Sequence, residues 1–309
     1  MSKIVGIGAN VCDTLITVPH YPNEDSKLKA NSIIRSGGGP CATGLVAASK
    51  LGGECGYIGT VTDDGAGDFL KSDLIKYNVS VENLITVPGY TSFTSYILLS
   101  EETATRTCLF DRGTIPAMML NEDQKKAIAD AEILMIDGNN MTAAIEGAKI
   151  AKSNNTKVLY DAGGLYEGVE NLLELTDILI PSEEFSLGHT KADTVEKAAV
   201  ILYEKYNPEI VIITCGIRGG IIYDGKDIAY YPAFPVEAVD SNGSGDVFHG
   251  GFAFAITKKM SYNDACIFSS AVSAIKCTKV GARKGAPEYK EVINFLKERG
   301  YNEFKENLE

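Results

Sequence analysis

The chain of 309 residues carries 29 Lys and Arg against 41 Asp and Glu, a formal charge of −12, with 45% hydrophobic and 23% charged residues. That balance supports a well-filled globular core and excludes a predominantly disordered chain. The acidic surface argues against nucleic acid or an anionic membrane as partner, and no apolar run approaches the roughly 18 residues needed to span a bilayer. Seven cysteines are scattered, without CxxC or Cys/His spacing. They predict neither a disulfide framework nor a zinc site, and suit a reducing, cytoplasmic setting. The opening Met-Ser-Lys-Ile-Val-Gly-Ile-Gly lacks a signal-peptide core and reads as a strand.

Along the chain, residues 3–9 read as an apolar strand, 41–51 as a helix, 56–61 as a strand and 66–77 as a helix. Residues 93–111 give two β-rich runs around a polar turn, a predicted hairpin. A regular alternation follows: helix 122–130, strand 132–136, helix 141–153, strands 157–160 and 177–180, helix 193–206 and strand 210–214. Short apolar strands between helices predict a parallel sheet covered on both faces. Gly219–Tyr223 and Ile228–Tyr231, joined at Asp224-Gly225, predict a second hairpin. Helices at 245–257, 262–277 and 288–299 close the fold. The polar β segments near 12–36 and 91–111 do not suit a parallel sheet. They are expected to form a small lid on a single 1–309 domain.

The most informative segment is Asp240-Ser241-Asn242-Gly243-Ser244-Gly245-Asp246, which runs into an apolar helix. Gly243, Ser244 and Gly245 can expose successive backbone N–H groups at a helix N-terminus, a setting suited to a phosphoryl group in transfer. Asp246 stands where a carboxylate can take the proton of a substrate hydroxyl. Read alone, the segment describes equally well a glycine turn with Asp246 capping a helix. Gly37-Gly38-Gly39-Pro40-Cys41-Ala42-Thr43-Gly44 is a second glycine run feeding a helix, and close approach to a ligand and tight helix packing both remain open for it. Three dinucleotide-like starts at Gly6, Gly65 and Gly243 fail because Val11, Leu70 and Phe248 stand where the third glycine belongs. Gly220 to Lys226 imitates a P-loop, but Asp227 replaces its Ser/Thr and the segment is a hairpin turn. His20, His189 and His249 form no ligand cluster; His249, one turn after Asp246, reads as a packed helix residue. No GxSxG elbow occurs.

Together, in this order and about two hundred residues apart, the two glycine segments resemble those of the PfkB (ribokinase-like) carbohydrate kinases. Gly37–Gly44, with Leu51-Gly52 and Gly56-Tyr57-Ile58-Gly59, is similar to the family's N-terminal junction. Asp240–Asp246 is similar to its Asp-Thr-x-Gly-Ala-Gly-Asp motif, with Ser241 for Thr and Ser244 for Ala. The resemblance implies a ribokinase-like, doubly wound α/β fold with a mostly parallel sheet, helices on both faces and a small β lid often used to form a homodimer. It implies transfer of the γ-phosphate of ATP to a sugar hydroxyl. Asp246 would be the general base and the amides of Gly243, Ser244 and Gly245 the anion hole. Asp13, Gly38 and Gly39 would hold the sugar, and Thr214, Gly216 and Gly219 the nucleotide. The segment from Cys277 to Ala286 would flank the adenine and, with Asp240, bind a monovalent cation, K+.

Tyr21–Ser26 and Asp137–Asn140 are similar to ketohexokinases. Gly245–Gly250, Ala274–Thr278 and the Gly-Gly-Gly-Pro start are similar to sulfofructose kinases. The expected acceptor is therefore a ketohexose, with Asp137 at the substrate. Lys27, Arg35, Arg106 and Arg112, all in the lid segments, are candidates for an anionic sugar; read alone they are solvated surface cations. Two positions depart from the family pattern. Ala42 stands where a sugar-contacting Asn is usual. Ser182 and Phe185 occupy the Asn-x-x-Glu positions tied to Mg2+, which leaves Glu183 or Glu184 beside Asp240 as candidate metal residues. A nucleoside kinase and a sugar-binding regulator without turnover are the alternative readings.

Overall fold

The structure is a computed structural model that describes residues 3–103 and 105–305. In chain order its elements begin with β1 (Ile4–Ile7), β2 (Val11–Val18), β3 (Ser32–Gly38), α1 (Pro40–Lys50), β4 (Cys55–Tyr57), β5 (Gly59–Thr62), α2 (Gly65–Lys76), β6 (Leu84–Val87), β7 (Thr94–Ser100) and β8 (Arg106–Asp111). The middle of the chain supplies α3 (Glu122–Ala129), β9 (Ile133–Ile136), α4 (Met141–Ser153), β10 (Lys157–Ala162), α5 (Val169–Leu173), β11 (Ile178–Pro181), α6 (Glu183–Thr190), α7 (Val195–Tyr206) and β12 (Ile210–Thr214). After a 3-10 turn at Gly216–Arg218 come β13 (Gly220–Tyr223), β14 (Ile228–Tyr231), α8 (Ser244–Thr257), α9 (Tyr262–Cys277), α10 (Ala282–Gly285) and α11 (Tyr289–Lys297).

The main sheet has eight strands in the order β14-β13-β12-β11-β10-β9-β1-β4. Strands β4, β1 and β9 to β12 are parallel, and β13 and β14 close one edge as an antiparallel hairpin. Strands such as Ile-Val-Gly-Ile and Ile-Leu-Met-Ile are apolar throughout because both of their faces are covered. Ile4, Leu159, Ile178 and Ile212 pack toward α1, α8, α9 and α11. Their neighbours Val5, Ile7, Leu134, Val158, Leu179 and Val211 pack on the opposite face toward α4, α5 and α7. This is the doubly wound α/β fold that the sequence implies. The C-terminal ends of β1, β9, β10, β11 and β12 all open on one edge, which gathers residues 8–13, Asp137, Asp161, Ser182 and Thr214 there.

The polar β segments form a separate four-stranded sheet, β3-β2-β7-β8, in which the expected hairpin of β7 and β8 is antiparallel and β2 and β7 run parallel. The hairpin of β13 and β14 turns at Gly225, whose φ is 90°, with Asp224 accepting from the Lys226 and Asp227 N–H groups. The single strand expected at 56–61 is two. After Tyr57 the chain leaves the main sheet, the Ile58 N–H donates to Gly6 O, and β5 pairs with β6 in a two-stranded sheet. Strand β6 and helices α5 and α6 lack the long periodic apolar pattern that reveals an element in sequence. Helix α6 is set by the Ser182 hydroxyl, which caps it by accepting from the Phe185 N–H at 3.1 Å. All seven cysteines are free thiols, and no helix among the described residues is long and apolar enough to cross a membrane.

Candidate active site

The two glycine segments meet through their helices. Gly44 in α1 faces Gly250 in α8 so closely that a Cβ on Gly250 would collide with the Gly44 carbonyl. Small residues at this crossing bring the two helix N-termini to the same edge of the sheet. Helix α8 starts at Gly243, left-handed with φ 76° and with no side-chain cap. The Ser244 N–H is taken by Ser241 O, and the N–H groups of Gly243, Gly245 and Asp246 have no hydrogen-bond partner among the described residues. A Cβ at Gly245 would meet nothing within 4 Å. Orphan donors, a helix dipole and open space above them together favour an anion. The unpartnered donors are thus those of Gly243, Gly245 and Asp246, whereas the Ser244 N–H, expected among the anion-hole donors, is taken by the turn.

Asp246 sits half-buried in this first turn. Burial and the neighbouring Asp161 carboxylate push it up to about 7, with His249 opposing and Asp137 and Asp13 adding to the rise. Asp161, at the end of β10, is itself pushed up to about 6 by burial. His249 holds the pair from below. Its Nδ1 is 2.7 Å from Gly245 O and 3.3 Å from Asp161 Oδ2, and its Nε2 is 3.0 Å from Ile180 O. Both ring nitrogens thus face oxygen atoms.

On the other side lie Asn10, Asp13, Gly38 and Gly39. Asp13 accepts from the Ser95 hydroxyl at 2.6 Å, and its carboxylate covers Gly38 so closely that no Cβ fits there. Gly39, φ 90°, turns the chain into α1 against Ala9 O. Arg283, fully buried, donates to Asp73 Oδ2 at 2.7 Å, Asn10 Oδ1 at 2.6 Å and Gly38 O at 2.6 Å. That contact fixes the Asn10 amide with its buried Nδ2 unpartnered. A cleft of about 340 Å³ opens here, lined by Asn10, Phe93, Arg112 and Asn139 among others. Arg112 donates to Asn139 Oδ1 at 3.1 Å and stacks over the rings of Phe93, Phe110 and Tyr166.

Comparison with known proteins identifies the family. Residues 1–288 match the model of the pfkB family carbohydrate kinases. The chain belongs to the PfkB family. It is accordingly an ATP-dependent carbohydrate kinase, a phosphotransferase with an alcohol as acceptor. It is similar to the ribokinase of Haemophilus influenzae, 27% identical over 94% of this chain and 97% of that protein. It is also similar to the 5-dehydro-2-deoxygluconokinase of Clostridium beijerinckii, 28% identical over 84% of each. Among solved structures, the Thermotoga maritima ribokinase superposes with a TM-score of 0.83 at 26% identity, covering 96% of this chain and all of that one. The Arabidopsis thaliana ribokinase complexed with ribose and ATP shares the fold, TM-score 0.87 at 22% identity over 96% and 99%.

The remaining expected residues of this PfkB kinase fall in several places. Thr214, at the end of β12, Gly216 (φ 59°, its Cβ direction open) and Gly219 (φ 79°) form the turn beside Ser182. Asp137 is not open to a ligand as expected. It is 2% exposed, and its oxygens accept from the N–H groups of Ala9, Cys41 and Asn139, tying β9 to the start of α1. Arg106 reaches the 240–246 loop, donating to Ser241 Oγ at 3.3 Å, whereas Lys27 is exposed and makes no polar contact among the described residues. Arg35 donates to Cys12 Sγ and lies over Phe69. The metal candidates are engaged elsewhere: Glu183 pairs with Arg218, and Asp240 accepts from Asn242 and Gly281 N–H groups and from Lys276. No three His, Cys, Asp or Glu side chains converge as a metal-holding group among the described residues. Cys277 contributes its carbonyl, which accepts from Val239 and Asp240. Asn10, Asp161, Lys276 and Arg283 escape the sequence reading; only Asp161, a charge ending an apolar strand, leaves a visible signal.

Proposed function

We propose that this kinase phosphorylates a primary hydroxyl of a furanose sugar, ribose in the first instance, with Asp246 as general base. The observation that carries the reading is Asp246 beside three unpartnered N–H groups at the start of α8. The sugar hydroxyl gives its proton to the Asp246 carboxylate as its oxygen attacks the γ-phosphorus of ATP, and ADP departs. The N–H groups of Gly243, Gly245 and Asp246 stabilise charge spreading over the transferring phosphoryl oxygens. A carboxylate raised to about 7 is matched to proton transfer near neutrality. Asp13 and the free Nδ2 of Asn10 hold sugar hydroxyls, and the turn at Thr214–Gly219 receives the nucleotide. Mg2+ accompanying ATP would supply neutralisation of the charge on its phosphates.

Ribose is placed first because a ribokinase is matched along 94% of this chain. A ketohexose is the second reading, since fructofuranose offers the same ring with one further hydroxymethyl group, and Arg112 in the cleft favours an acidic sugar as a variant of it. Comparing kcat/KM for ribose, fructose and 5-dehydro-2-deoxygluconate with Mg-ATP tests the choice. Ribose should lead; a hexose or sugar acid leading by about tenfold, or about 1.4 kcal/mol of transition-state binding, would reverse it. The four-stranded sheet is the proposed homodimer surface, because one of its faces exposes Ile33, Tyr96 and Leu109 at 67%, 50% and 58%. Light scattering of Tyr96→Glu should give a monomer where the parent gives a dimer.

A further inference from the structure

The family resemblance implies a monovalent cation held by Asp240 and the segment Cys277–Ala286. The residues present do not fit one. Lys276, in the last turn of α9, is fully buried and points between those two loops. Its Nζ donates to Asp240 O at 2.6 Å and lies 3.4 Å from Asp240 Oδ2. The same Oδ2 accepts from the Gly281 N–H at 2.8 Å, and Oδ1 accepts from the Asn242 N–H at 2.8 Å. Gly285 packs beside the lysine stem, where a Cβ would stand at ordinary contact distance, 3.4 Å, from Lys276 Cε. Val239 and Asp240 complete the junction by donating to Cys277 O. One unit of positive charge thus already sits on the main-chain and side-chain oxygens that a hard monovalent cation would need.

We infer that the Lys276 ammonium is a built-in substitute for the monovalent cation, so that this kinase takes up no K+ at Asp240 and is not activated by it. Its charge joins the loop leading into α8 to the turn at Gly281 that leads into α10, through Asp240, which is what a cation between them would do. A bound ion exchanges with solvent, but a lysine cannot leave. The loop geometry should therefore be independent of the salt supplied. Breaking a buried pair by removing one partner leaves an uncompensated charge, Asp240 in this case. A small cation gains a reason to enter only once Lys276 is gone.

The test compares KCl with tetramethylammonium chloride at equal ionic strength, about 0.15 M, on the full chain. For the wild type, the melting temperature and the rate of ADP formation should be the same in both salts. For Lys276→Ala, KCl should raise the melting temperature by about 5 °C over tetramethylammonium, with Lys276→Met, whose longer side chain fills the space, responding less. A wild type stabilised or activated severalfold by K+ would overturn the inference, as would a folded Lys276→Ala variant indifferent to K+. If that variant does not fold in either salt, the wild-type comparison decides. The kinetic arm rests on the kinase reading, whereas the melting arm needs no turnover, so silence on every sugar would leave the cation result readable.

Discussion

Arg283 offers the sharpest test of how the sugar side is built. It is 1% exposed, and its guanidinium serves the Asp73 carboxylate, the Asn10 amide oxygen and the Gly38 carbonyl. Arg283→Met removes all three donors. Asp73, 9% exposed and without another side-chain partner among the described residues, becomes a buried unpaired charge. Breaking such a pair costs about 3–5 kcal/mol. Adding Asp73→Leu removes that charge, leaving only the unpaired Asn10 and Gly38 acceptors, a deficit of about 1–3 kcal/mol. The double variant should therefore be more stable than Arg283→Met alone. Urea unfolding of the two single variants, the double variant and the parent measures this directly. Sugar KM should also rise more than kcat falls, because the guanidinium fixes the Asn10 amide and the Gly38 strand. A loss below about 1 kcal/mol for Arg283→Met, or no recovery in the double variant, would refute the reasoning.

Further outcomes follow from the same geometry. Gly250→Ala should lower stability by about 1–3 kcal/mol and lower kcat with it, because the new Cβ forces α1 and α8 apart; denaturant midpoints and initial rates measure both. Gly245→Ala is its contrast, since a Cβ there meets nothing. Its melting temperature should hold while the KM for ATP rises. The pH profile of kcat/KM should climb through a limb near 7 as the Asp246 and Asp161 pair loses a proton. His249→Gln should move that limb upward and Asp161→Asn downward, since the first neighbour lowers Asp246 and the second raises it. Stability carries the opposite slope. A carboxylate raised on folding contributes fully below its unfolded value of 3.8 and loses that contribution as pH rises through about 7. Melting temperatures of Asp246→Asn should accordingly gain on the wild type between those pH values.

The main sheet is legible in the sequence because its strands are buried on both faces, so runs such as Ile-Leu-Met-Ile stand out against helical spacing. The glycine turn before α8 is legible for a related reason: glycine at 243 adopts φ 76° without a Cβ penalty and glycine at 245 leaves the space above it open. What pairs across the molecule is not. Arg283 meets Gly38 across 245 positions of chain, and His249 meets Ile180 across 69. A lone Lys at the end of an apolar helix reads as an ordinary C-terminal cation, and Lys276 becomes something else only because the 239–242 loop closes over it. Asp137 errs in the other direction. Its motif suggests a ligand contact, but three backbone N–H groups reach it first. Helix α6 hides because Glu-Glu-Phe-Ser-Leu-Gly-His-Thr is short and polar, and its Ser182 cap supplies the start that hydrophobic spacing cannot announce.

The central claim is that Asp246 takes the proton of a sugar hydroxyl. The measurement is the rate of ADP formation from Mg-ATP with saturating sugar, for the wild type and Asp246→Asn, with sugar binding followed by calorimetry. The account predicts a loss of about 10²- to 10⁴-fold in kcat while Asp246→Asn remains folded and still binds the sugar. Sugar-dependent ADP formation by Asp246→Asn within about twofold of the wild type would contradict it.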